Sequence, residues 1–246
     1  MKKNALVIGA CHGNLGDEIA NQLVDWDMVY RADIQPNGKW PFYQIDVTQF
    51  KEVYTLMKDL QPLDVVIYSA GVNSMGAFRE YENEELQRHL DVNLIGAFST
   101  IKAYVNSFEQ YKSNKTDWHG TQKKVIIITS NTAFIPRTRS VAYCVSKAGA
   151  NMLVKQAHRE LAPDGYKIIG FAPGVIEDTY MHRKTHEELL LLRGWDEKEC
   201  YERRTALIPS RRFTNTVECA KVVRFLATGA GDYFGGEIVR FGGGEK

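Results

Sequence analysis

Ala5-Leu6-Val7-Ile8-Gly9-Ala10-Cys11-His12-Gly13-Asn14-Leu15-Gly16 decides how this chain is read. Four apolar residues end at a glycine, as a buried strand does. Three glycines then follow within eight residues. From Leu15 onward, Leu15, Ile19, Leu23 and Trp26 recur at helical spacing, so 15–26 is predicted as an amphipathic helix. Glycines placed between a strand and a helix let the backbone turn sharply and approach a pyrophosphate, with the helix N–H groups aimed at the anion. An ordinary glycine turn is the blander alternative, and the flanking strand and helix argue against it.

The same reading extends along the chain. Strands are predicted at 28–34, 42–45, 65–68, 125–129, 167–171 and 237–241, and helices at 50–60, 142–161 and 214–228. Pro36-Asn37-Gly38 closes the second strand, and Pro163 stops the 142–161 helix. Residues 84–111 carry a long helical pattern broken near Asp91–Asn93, 112–124 read as a polar loop, and 178–210 as a charged helical lid. Strand and helix alternate throughout. The expected architecture is therefore an α/β doubly wound parallel sheet of about seven strands, helices on both faces, in one domain spanning 1–246.

Composition narrows the function. The 246 residues suffice for one large core, and a net charge of +1 gives no global field for nucleic acid or an anionic membrane. Cys11, Cys144, Cys200 and Cys219 have neither metal-ligand nor disulfide-framework spacing, which fits reduced thiols in a cytoplasmic protein. The apolar run after Met1-Lys2-Lys3-Asn4 is too short for a signal peptide or a membrane span.

Chemistry enters with Tyr143-Cys144-Val145-Ser146-Lys147. In a helix, Tyr143 and Lys147 stack on one face. A free phenol titrates near ~10, and a neighbouring ammonium is expected to lower that value and make the pair a proton-transfer group. Ser130, at the end of the 125–129 strand, is the natural companion. Asp33 ends the second strand, where an acid suits ribose hydroxyls and repels a 2′-phosphate, so NAD is preferred to NADP. Arg31, on the same strand face, and a protonated His12 would weaken that preference.

These residues resemble a short-chain dehydrogenase/reductase, a Rossmann-fold family, over nearly the whole chain. The glycine loop is Gly9, Gly13 and Gly16, with His12, Asn14 and Leu15 beside them. Asp46-Val47 matches the adenine-pocket signal, Tyr68-Ser69-Ala70-Gly71 the strand-end motif, and Pro173-Gly174-Val175-Ile176 with Thr179 the Pro-Gly motif. Gly235-Gly236-Glu237-Ile238-Val239 and Gly242-Gly243 also fit. The resemblance implies a catalytic set of Asn93, Ser130, Tyr143 and Lys147. Tyr143 would exchange a proton with the substrate oxygen, Lys147 would hold the nicotinamide ribose, and Ser130 would donate to the substrate oxygen. The Asn93 carbonyl would hold a relay water.

Three departures stand out. The glycine loop is one residue longer before its last glycine, Tyr68 and Ser69 replace two asparagines, and Asp178 stands where Thr179 is expected. Asp178 is expected to turn away. Beyond Ser130, Thr132 and Phe134 (with Ile135) are expected against the substrate, and Arg137 or Arg139 are candidates to pair with a carboxylate or phosphate. Tyr180, Met181, His182 and Trp195 are candidate lid contacts.

The resemblance also implies a homodimer or homotetramer. Apolar stripes at Ala97, Ile101 and Val105 and at Ala150, Leu153, Val154 and Ala157 would make the interface, or else face the chain's own sheet. The expected substrate is a small alcohol or ketone: a sugar, polyol, cyclic diol or similar. The alternatives are an NADPH-dependent 3-oxoacyl carrier-protein reductase and a nucleotide-binding sensor without chemistry. No metal is expected.

Overall fold

The computed structural model describes residues 3–36, 38, 39, 41–114 and 122–245. Asn37 of the predicted turn and 115–121 of the predicted loop lie outside them. Seven strands among the described residues form one parallel sheet: β1 (Asn4–Ile8), β2 (Met28–Asp33), β3 (Phe42–Gln44), β4 (Val65–Tyr68), β5 (Lys124–Ile128), β6 (Lys167–Pro173) and β7 (Ile238–Phe241). Their order is β3-β2-β1-β4-β5-β6-β7. The chain winds outward from β1 in one direction, then from β4 in the other. The β1/β4 seam is thus a topological switch point, where a crevice opens beyond the strand C-termini.

β1 and β4 to β6 are almost wholly buried, as central parallel strands covered on both faces must be. On one face α1 (Leu15–Gln22) and α8 (Thr216–Ala227) pack through Ile19, Leu23, Val223 and Leu226. On the other, α2 (Phe50–Leu60), α4 (Gly96–Asn114) and α5 (Val141–Leu161) cover Leu6, Ile8, Val66 and Ile127. Complete burial of each such side chain contributes about 1.5–3 kcal/mol before entropy is charged against it. Ala97, Ile101 and Val154 are buried in this second cluster, with Val105, Leu153 and Ala157 packed against it, and Ala150 is also fully buried, so these stripes serve the chain's own core. Phe98, Val145 and Met152 are the large apolar residues exposed on α4 and α5 among the described residues.

The expected break near residue 91 is a π turn, Asp91–Ile95, between α3 (Asn83–Leu90) and α4. Two boundaries differ from expectation at the predicted 112–124 loop. α4 continues to Asn114, and β5 begins at Lys124, a fully buried lysine. Its Nζ donates to the carbonyls of Leu226 (2.9 Å) and Thr228 (2.5 Å) and pairs with Asp232 at 2.8 Å. The cation thereby sits on the C-terminal carbonyls of α8, where the helix dipole favours it. The first helix ends at Gln22 rather than 26, although Trp26 still reaches the core. The lid is α6 (Tyr180–Arg193) and α7 (Glu197–Ala206). No described helix is long and apolar enough to cross a membrane.

Candidate active site

A cavity of ~1230 Å³ opens at the C-terminal ends of β1, β2, β4, β5 and β6, beneath α6 and α7. At one end lies the glycine loop. Gly9 has φ +84°, and a Cβ on it would stand 2.2 Å from the Ala70 amide nitrogen. Only glycine lets these two strand ends close together. A Cβ on Gly16 would stand 2.2 Å from the Gly9 carbonyl oxygen, so the extra loop residue has not moved α1 off the loop. Gly13 (φ +77°) has open space where its Cβ would be. His12, Asn14 and Leu15 line the cavity there, and Asn14 is the N-cap of α1. A backbone left bare at a helix start is what a pyrophosphate needs.

Asp33 forms the next stretch of wall. Its carboxylate accepts from the Cys11 amide (2.9 Å) and the Gln35 amide (3.0 Å). Burial, followed by the charge of Asp33, pushes the Cys11 thiol up to about 11, so it stays protonated. Arg31 does not join Asp33. It reaches Asp17 (3.6 Å) and Asn21 (3.3 Å), and Lys39 also binds Asp17 at 2.8 Å. The buried Asp17 had no signal in the pattern, because acids in a helix's first turn are usually solvated.

Asp46 accepts from both the amide and hydroxyl of Thr48 (2.9 and 2.8 Å) and, with Val47, lines the cavity. Ser69, Ala70 and Gly71 line its middle, as do Pro173, Gly174, Ile176 and Thr179. Thr179 caps α6, accepting from the His182 amide at 3.1 Å. Asp178 turns away as expected, onto the amide and hydroxyl of Thr216 (3.0 and 2.7 Å).

The catalytic candidates meet at the cavity floor. Ser130, just after β5, lies beside Tyr143 in the first turn of α5, with Lys147 one turn on; all three line the cavity. Thr132 donates to Ser130 Oγ through its hydroxyl (2.9 Å) and its amide (3.2 Å). Those contacts leave the serine's own proton free to be donated on the Tyr143 side of the cavity. Lys147 Nζ donates to the Ile128 carbonyl at 2.9 Å and lies 5.8 Å from the centre of the Tyr143 ring.

One expectation is corrected. Burial pushes the Tyr143 phenol up, to about 12, and the Ser130 hydrogen bond opposes that rise only in part. Burial also pushes Lys147 down to about 8. Removal from water is the first cause at both groups.

Asn93 is buried beside the cavity rather than in its wall. Its side chain accepts from the Val72 amide (2.9 Å) and donates to the Val72 carbonyl (3.0 Å) and Ser146 Oγ (2.9 Å). It therefore braces the β4 loop against α5. Tyr68, in place of an asparagine, donates to the Val92 carbonyl in the π turn at 2.5 Å.

Phe134 and Ile135 do not form a substrate wall. The short turn Asn131–Ala133 swings Phe134 outward onto the Arg240 guanidinium, 4.8 Å away. Arg137 lines the cavity but is held by Glu245, which also accepts from Asn131 at 2.8 Å. Arg139 adopts φ +66°. Tyr180, Met181, His182 and Trp195 do line the cavity. Arg204 and Glu245, also in the wall, were not singled out, because charged residues in a charged segment or a glycine-rich tail look solvated.

A family model described as short chain dehydrogenase matches residues 3–190. The chain is 26% identical, over 99% of its length and 98% of the relative, to a diacetyl reductase, (S)-acetoin forming, of Staphylococcus epidermidis. It is 30% identical, over 79% of its length and 69% of the relative, to a 3-oxoacyl acyl-carrier-protein reductase of Aquifex aeolicus. Its fold superposes on the ligand-free aldohexose dehydrogenase of Thermoplasma acidophilum with a TM-score of 0.83. That pair shares 26% identity over 99% of this chain and 93% of the other.

Proposed function

Because this chain belongs to the short-chain dehydrogenase family, whose members are NAD(P)-dependent oxidoreductases of hydroxyl- and keto-bearing carbons, we propose that it is an NAD-linked reductase of a small ketone and dehydrogenase of the matching secondary alcohol. The observation that carries the reading is the Ser130–Tyr143–Lys147 cluster at the floor of a cavity whose far end is the glycine loop. When bound there, a nicotinamide supplies or takes up a hydride. Gly9, Gly13 and the start of α1 would hold its pyrophosphate, Asp33 its adenosine ribose, and Lys147 its other ribose.

The chain's own groups handle the proton. A phenol pushed up to about 12 is protonated at neutral pH, so a proton is present for transfer to a carbonyl oxygen. Ser130 donates to that oxygen as charge develops on it. The Asn93 carbonyl belongs to the same proposal, as the anchor of a water that returns protons from solvent toward Lys147.

NAD rather than NADP is supported by Asp33 in the wall and by the engagement of Arg31 and Lys39 with Asp17. The likeness to the Aquifex reductase supports a second reading, reduction of a carrier-bound 3-oxoacyl group with NADPH. Asp33 weighs against it, and comparing the two reduced nicotinamides in one assay separates them. The reading also takes the enzyme as a cytoplasmic homodimer or homotetramer, with exposed Phe98, Val145 and Met152 available to an interface.

The test is Tyr143→Phe. Turnover of acetoin or any other accepted ketone should fall by about 10²–10⁴-fold, the share of a general acid. NADH affinity by fluorescence titration should stay within a few-fold. Retention of most of the turnover would remove the assigned role.

A further inference from the structure

Arg204, on α7, is a half-buried cation in the cavity wall with no acid beside it among the described residues. Its Nη1 lies 3.3 Å from His182 Nε2 and 3.3 Å from His186 Nδ1. A guanidinium has no acceptor, so both ring nitrogens must be lone-pair acceptors. The remaining nitrogens agree. His182 Nδ1 donates to the Glu177 carbonyl at 2.6 Å, and His186 Nε2 to the Glu197 carboxylate. Neither imidazole offers the guanidinium a negative charge. The guanidinium lies over the Phe213 ring, 4.9 Å from its centre. Among the described residues it forms no ion pair.

Of the other arginines in the wall, Arg183 and Arg193 also lack an ion pair among the described residues but are exposed to water, and two more are neutralised. Arg88 is paired with Glu85 and Arg137 with Glu245. The other cavity acids, Asp33 and Asp46, belong to the cofactor end. A half-buried cation without a counter-charge costs stability. Here it is held in place by two imidazoles and an aromatic face at the lid wall, on the same cavity as Tyr143. We infer that the substrate carries an anionic oxygen group, a carboxylate or a phosphate, away from its reacting carbon, and that Arg204 receives it. This rests on the ketone-reductase reading above and narrows its substrate class.

The test uses matched ketones with NADH: butan-2-one against acetoacetate, and fructose against fructose 6-phosphate. In the wild-type enzyme kcat/KM for the anionic member of at least one pair should exceed that of its neutral partner by ~10-fold or more, and Arg204→Met should cut that ratio by about 10- to 100-fold, the scale of a lost charge-assisted contact. Arg204→Lys should restore part of it. The pair that responds distinguishes carboxylate from phosphate. A wild-type ratio below ~10 in both pairs overturns the inference, as does an unchanged ratio in folded Arg204→Met. Turnover of the neutral ketones then leaves the reductase reading standing. If Arg204→Met does not fold, the wild-type ratios decide alone. If NADH binds and no ketone is reduced, the reductase reading falls first and this inference falls with it.

Discussion

Lys147 is a cation folded into a place where it is cheaper to be neutral. Its value of about 8 lies below the ordinary 10.5, and burial is the cause. Between those values the unfolded chain binds more protons than the folded one at this site. Stability therefore rises with pH through the window from about 8 to 10.5. Tyr143 works in the opposite sense above its ordinary value of 10, because its raised phenol holds a proton that the unfolded chain gives up. Comparing the wild type with Lys147→Met cancels the tyrosine contribution. The stability difference, wild type minus variant, should climb across that window in urea denaturation at stepped pH. A flat or falling difference would show that the lysine is not desolvated. The Tyr143–Lys147 spacing and the strand end at Ser130 were legible in the sequence, because helical period and strand length place them. The extent of their burial was not, since it depends on what covers the pair.

At the scale of elements, the π turn between α3 and α4 is held open from the sheet. The Tyr68 hydroxyl on β4 donates to the Val92 carbonyl, and a Cβ on Gly96 would stand 2.3 Å from that hydroxyl oxygen. Gly→Ala in a helix ordinarily gains about 1 kcal/mol. Here Gly96→Ala should instead cost about 1–3 kcal/mol, because the methyl must push a fully buried ring aside. Tyr68→Phe removes the clashing atom together with its hydrogen bond. The double variant should therefore be more stable than the sum of the single effects predicts, by about 0.5–3 kcal/mol in a denaturation cycle. Strict additivity would mean that Tyr68 does not set the shape of the turn. The break itself was readable near Asp91–Asn93. The Tyr68–Gly96 fit was not, because residues so far apart in the chain meet only once the sheet exists. Lys124 makes the same point: a lysine at a loop's edge looks solvated until α8 brings its terminal carbonyls to it.

On the scale of the whole molecule, alternation of strand and helix made the doubly wound sheet legible, and the glycine loop after β1 located its crevice. What escaped was everything set by long-range docking: the turn of Phe134 onto Arg240, the Glu245 tail on Arg137 and the capture of Arg31 by Asp17. That last contact bears on the cofactor. With Arg31 and Lys39 both on Asp17, Asp33 at the proposed adenosine end has no cation of its own among the described residues, and a 2′-phosphate there would meet like charge. The cavity wall is drawn from five strand ends and the lid, so it exists only in the folded chain, and a dinucleotide bound there shifts unfolding by mass action. At about 100 times its dissociation constant a ligand contributes roughly 2.7 kcal/mol, which for a chain of this size corresponds to a rise in Tm of about 5–10 °C. NADH should give such a rise in thermal denaturation, and NADPH at equal concentration a clearly smaller one. An equal or larger shift with NADPH would show that the basic side chains near β2 leave Asp17 to meet the phosphate. The NAD assignment would then be lost while the fold and the Ser130–Tyr143–Lys147 chemistry stood.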